Sequence, residues 1–97
     1  MNDEQMICIH VVVEGRVQGV GFRHFVWQHA NQLELKGWVR NRWDGTVELI
    51  AEGDQETVNQ LISFLWKGPR MSFVTQVKVA QREFTGEFRS FDIRSSI

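Results

Sequence analysis

Apolar and polar positions alternate from Met6 to Val13, with Ile7, Ile9, Val11 and Val13 on one side of an extended chain and Cys8, His10 and Val12 on the other. A period of two marks a β-strand with one buried face. The period then changes. Phe22, Phe25, Val26, Ala30 and Leu33 recur at helical spacing, which predicts a helix over 22–33 that buries this stripe. Gly37 to Asn41 reads as a second strand, Asp44-Gly45 as a two-residue hairpin turn, and Thr46 to Glu52 as a third, alternating strand. A second helix starts after Gly53, with Asp54 as its N-cap and Glu56 in a first turn that favours negative charge. Val58, Leu61, Ile62 and Leu65 form its buried stripe, and Gly68-Pro69 ends it. Phe73 to Glu83 predicts a fourth strand with Phe73, Val77 and Val79 on one face. Thr85-Gly86 reads as a turn, and Phe91 with Ile93 as a short last strand.

The element order is βαββαβ with a short terminal addition. Right-handed crossovers fold that order into a split βαβ pair: two helices on one face of an antiparallel sheet. Ninety-seven residues hold one core, so 1–97 is read as a single domain, with 1–5 as a flexible N-terminus.

Between the first strand and the first helix runs Gly15-Arg16-Val17-Gln18-Gly19-Val20-Gly21-Phe22, followed at once by Arg23. Closely spaced glycines let a backbone curl with its N–H groups turned inward. The helix N-terminus adds unpaired N–H groups and the positive end of a dipole. A fixed cation in the first turn opposes that dipole, so a nearby anion is the economical explanation for Arg23. The loop has neither the lysine and hydroxyl of a nucleotide-binding P-loop nor the G-x-G-x-x-G spacing of a dinucleotide fold. Val17 stands where a cysteine-dependent phosphatase loop would carry its nucleophile, and nothing between Gly15 and Arg23 can be phosphorylated. Water is then the simplest attacking group.

The remaining composition narrows the class. Eleven basic residues against twelve acidic ones give a net charge of −1, so no global basic field draws in nucleic acid or an anionic membrane. The polar start of the chain and the lack of any long apolar run predict a cytoplasmic protein without a membrane span. Lone Cys8 suits a reducing compartment and reads as a small strand residue. His10, His24 and His29 share no metal-ligand spacing, so no metal and no cofactor are expected. Trp27, Trp38, Trp43 and Trp66 are expected to pack in the core or lie half-exposed.

The chain resembles the acylphosphatases. The likeness rests on Gly15 to Arg23 and on Gly37-Trp38-Val39-Arg40-Asn41 followed by Asp44-Gly45-Thr46-Val47-Glu48, and it extends to Phe91-Asp92-Ile93-Arg94. The resemblance implies a ferredoxin-like α+β sandwich and hydrolysis of the carboxyl–phosphate bond of acyl phosphates, without metal or cofactor. By resemblance Arg23 binds the phosphate, Asn41 orients the water, and the loop from Gly15 to Phe22 supplies backbone donors. The implied partner is a small acyl phosphate, with phosphate or sulfate as competing anions, acting on a monomer. Read from their position alone, Arg16 and His24 flank the site as solvated side chains or secondary contacts and not as essential groups. One departure stands at Glu34, where the family often has glycine. If the left-handed conformation is kept there, it costs roughly 1 kcal/mol.

Two rivals share this element order. An RNA-recognition domain stacks bases on aromatics of its third strand, and Thr46 to Glu52 has none. An acylphosphatase-like regulatory or binding domain without turnover would not require intact Arg23 and Asn41.

Overall fold

A computed structural model describes residues 5–97. Its elements are β1 (Met6–Arg16), α1 (Phe22–Gln32), β2 (Lys36–Asn41), β3 (Val47–Asp54), α2 (Gln55–Lys67), β4 (Phe73–Arg82) and β5 (Phe91–Ile93). The strands form one sheet in the order β4-β1-β3-β2-β5. The first four pair antiparallel, and β5 runs parallel to β2 through Gly37–Phe91, Trp38–Asp92 and Val39–Ile93. The expected antiparallel sheet is therefore mixed at one edge. The expected flexible segment 1–5 falls largely on residues 1–4, outside the described residues. Gln5 is held, because its carbonyl accepts from the Gln55 N–H at 2.9 Å.

One face of the sheet packs on both helices. Ile7, Ile9, Val11 and Val13 of β1 and Val47, Leu49 and Ala51 of β3 meet Phe22, Val26 and Ala30 of α1 and Val58, Leu61 and Leu65 of α2. The period-two and helical stripes read from the sequence are the two sides of this core. Across the sheet, Cys8, Trp38 and Ile50 form a smaller cluster with Phe88. The guanidinium groups of Arg40 and Arg94 lie over the Trp38 ring at 4.6 and 4.9 Å. Of the four tryptophans, Trp43 departs from expectation: it is 89% exposed, at the tip of the β2–β3 loop.

Two local expectations are corrected. The β2–β3 connection is longer than a two-residue turn. Arg42 N–H donates to Thr46 O at 2.9 Å and Gly45 N–H to Arg42 O at 3.1 Å, closing a loop over 43–45 with Gly45 at φ 91°. Asp44 steadies it by accepting from the Thr46 N–H and hydroxyl at 3.0 and 2.6 Å. Three-residue hairpins of this kind place a left-handed glycine after a type I turn. In β4, Phe73 is exposed and does not share a face with buried Val77. The register slips between the Glu14–Gln76 and Gly15–Val74 pairs. That β-bulge inserts one residue into β4, so Val74 turns toward the core in place of Phe73.

Candidate active site

The two helix starts are built differently. At α2 the Asp54 carboxylate accepts from the Glu56 and Thr57 N–H groups, at 2.9 and 3.3 Å, and also from the Thr57 hydroxyl. At α1 the N-cap is Gly21 in the left-handed conformation, with no side-chain cap and no acidic residue in the first turn. The positive end of that helix is left for something else. Gly19 and Gly21 have φ of 75° and 80°, and a Cβ at either would meet nothing within 4 Å. Here glycine answers to backbone conformation and leaves open space beside the chain.

That space is a cavity of about 260 Å³ bounded by Val17, Gly19, Gly21 and Phe22 of the loop and helix start, together with Arg23 and His24. Asn41 at the end of β2 and Ile93 of β5 complete the wall. Residues from both sequence motifs thus border one hollow. The topology explains why: β1 and β2 both run antiparallel to β3, with Val13 and Asn41 both opposite Val47, so the β1 exit and the β2 end lie at the same end of the sheet. No Asp or Glu is among the lining residues, and among the described residues Arg23 enters no ion pair. The cup presents a cation, a helix N-terminus and no competing negative charge.

Asn41 is fixed by its backbone. It pairs with Val47 of β3 on one side, and on the other its carbonyl accepts from Ile97 N–H at 3.0 Å. Its Oδ1 is buried without a hydrogen-bond partner among the described residues. A buried carbonyl oxygen left unpaired costs about 1–3 kcal/mol. Asn41 is therefore anchored at the site by its main chain, with its side-chain acceptor unsatisfied by the protein.

The eight loop residues singled out in the sequence divide into several roles. Val17 is buried in the core as well as bordering the cavity. Gly15 and Arg16 belong to β1 and pair with Val74 and Phe73, outside the cavity wall. A Cβ on Gly15 would stand 2.1 Å from Phe73 O, so this glycine serves the close approach of β4. Val20 packs against the core, and the Gln18 side chain turns to the β2–β3 loop. His24 stacks on Trp27 at 5.4 Å. Ile93 was missed as a site residue, because only strand pairing brings it beside β2. Remaining histidines lie elsewhere: His10 contacts Glu48 at 2.7 Å, and His29 stacks on Phe64 at 3.9 Å, where burial holds its pKa below the usual imidazole range. No three His, Cys, Asp or Glu side chains among the described residues are grouped to hold a metal ion.

Fold and cavity together define a class: a small ferredoxin-like α+β domain with an arginine-bearing, carboxylate-free cup at a helix N-terminus. The acylphosphatase family model matches residues 9–93. An acylphosphatase of Pelotomaculum thermopropionicum is 49% identical over 84 residues, which is 87% of this chain and 91% of the relative. One from Bacillus licheniformis is 48% identical, covering 91% and 98%. The crystal structure of acylphosphatase from Bacillus subtilis superposes with a TM-score of 0.88 at 38% identity, covering 91% of this chain and 98% of that one. The chain belongs to the acylphosphatase family.

Proposed function

We propose that this protein hydrolyses the carboxyl–phosphate bond of small acyl phosphates, releasing a carboxylate and inorganic phosphate by direct attack of water on phosphorus. The observation that carries this reading is the shared cavity of Arg23 and Asn41, free of carboxylates. A carboxylate departs without a general acid, so the protein has to hold the phosphoryl group, neutralise its oxygens and aim a water in line. N–H groups of the loop and the first turn of α1, with the Arg23 guanidinium, perform the first two tasks. Each charge-assisted hydrogen bond contributes about 1.5–3 kcal/mol. Asn41 performs the third. It borders the cavity, where its side-chain amide orients the attacking water.

An amide is not basic enough to take the water's proton. The proton passes to a phosphoryl oxygen of the substrate, so the reaction is substrate-assisted and uses neither metal nor cofactor. Phosphate and sulfate compete for the same cup, and the working unit is a cytoplasmic monomer. Among the described residues no helix is long and apolar enough to cross a membrane.

Benzoyl phosphate tests the proposal. Purified protein is expected to turn it over at the same rate with and without a chelator, and inorganic phosphate is expected to inhibit competitively. Phosphate binding without turnover would leave a binding domain instead. Activity that required added Mg²⁺ would overturn the metal-free scheme.

A further inference from the structure

The sequence places Gln18 among the anion-binding loop residues, yet its side chain points away from the cavity wall. Both hydrogens of its amide nitrogen are committed, to Arg42 O at 2.7 Å and Thr46 O at 2.8 Å. Those carbonyls flank the mouth of the β2–β3 loop. Arg42 directly follows Asn41, and Thr46 directly precedes Val47, the strand partner of Asn41. Among the described residues, no other side chain of the loop from Val17 to Gly21 hydrogen-bonds to the β2–β3 connection.

From this geometry, and resting on the reading of the site given above, we infer that Gln18 is a positioning residue that locks the Asn41-bearing strand end to the anion-binding loop. Both carbonyls keep a donor of their own when Gln18 is removed. Arg42 O also accepts from Gly45 N–H, and Thr46 O also accepts from Arg42 N–H. Loss of the amide therefore leaves the hairpin closed and the carbonyls satisfied. What it releases is the distance between the cup and Asn41. The loop keeps its other anchor, buried Val17, so the cup itself persists. Misplacing a positioned group by about 1 Å can lower a rate by about 10²-fold, while anion binding to the unchanged cup stays nearly constant.

The test replaces Gln18 in the full chain with methionine, which has a similar shape and no donor. Gln18→Met is expected to lower kcat on benzoyl phosphate by about 10- to 100-fold, with the inhibition constant of inorganic phosphate changed less than about threefold and cooperative melting retained. If Gln18 acts through Asn41, the losses do not add: Q18M combined with N41A has the kcat of N41A alone. Additive losses, a parallel fall in phosphate affinity, or unchanged kcat would overturn the inference. A second readout does not need turnover. Amide resonances of residues 42–46 should shift when inorganic phosphate binds the wild-type protein and should lose that response in Q18M; an equal response in both overturns the linkage. Wild-type protein without turnover would refute the proposed function, an outcome distinct from a wild type and Q18M that are equally active.

Discussion

Replacing Glu34 by glycine should stabilise this protein without altering its catalysis. Helix α1 ends in a tight cap: Glu34 N–H donates to Asn31 O at 3.0 Å and Leu35 N–H to Ala30 O at 2.8 Å. That pair of bonds is the Schellman arrangement, with Leu35 buried against the same core as Ala30. It requires a left-handed residue at Glu34, which has φ 60° and is the only non-glycine residue with positive φ among those described. A side chain in that conformation costs roughly 1–2 kcal/mol. Glycine recovers that cost and gives back about 0.4–1 kcal/mol through the extra freedom of its unfolded chain. Removing a negative charge from a helix C-terminus adds a few tenths of a kcal/mol. The net gain is about 1 kcal/mol, or roughly 4–8 °C in Tm for a domain of this size. Thermal melting of Glu34→Gly beside Glu34→Ala separates the contributions, since alanine removes the charge and keeps the strained Cβ. An eleven-residue helix puts Glu34 roughly 16 Å from the cavity end of α1, so kcat should not change. A Glu34→Gly protein melting at or below wild type, or an alanine variant gaining as much, would refute the reasoning.

Three further outcomes follow from the site and its supports. Arg23→Gln should abolish phosphate inhibition and turnover together while melting stays near wild type, because the guanidinium enters no ion pair among the described residues; binding measured by calorimetry checks it. Asn41→Ala should lower kcat by about 10²-fold or more with phosphate inhibition retained. Its Tm should not fall much, since the lost Oδ1 has no partner to abandon. Glu52, 2% exposed, accepts from the Thr85 N–H and hydroxyl and the Gly86 N–H at 2.7–3.0 Å. Burial pushes its pKa up, but those bonds outweigh it and hold the carboxyl below its ordinary 4.5. Its contribution is therefore complete above pH 4.5 and is lost as pH falls below that value. Denaturation of Glu52→Gln at pH 7 and pH 3 should show a loss of about 1–3 kcal/mol at the higher pH and a smaller one at the lower.

Much of this architecture is legible in the sequence because local signals and tertiary burial agree. Ile7, Ile9, Val11 and Val13 alternate because one sheet face is dry, and Asp54 caps α2 as its side chain dictates. The failures have physical causes too. A period-two reading of β4 holds only while the strand is regular, and the bulge beside Gly15 reverses the face at Phe73. Asp44-Gly45 signals a turn without fixing its length, which depends on where Arg42 and Thr46 close the ladder. The parallel direction of β5 carries no local signature. Arg23 stands out locally as a cation at a glycine-loop helix start, whereas Asn41 on its own reads as a plain strand-end residue and is singled out only through the family resemblance; that both border one cavity depends on the sheet. Ile93 joins the wall only through strand pairing, and the outward turn of Gln18 depends on a loop distant in sequence.

The proposed attack of water on phosphorus, in a cup formed by main-chain N–H groups and Arg23, would leave an isotopic trace. Benzoyl phosphate turned over once in ¹⁸O-labelled water by excess enzyme, with chelator present, reveals it. One labelled oxygen is expected in the inorganic phosphate and none in the benzoate. Label in the benzoate, which marks attack at the acyl carbon, would contradict this mechanism.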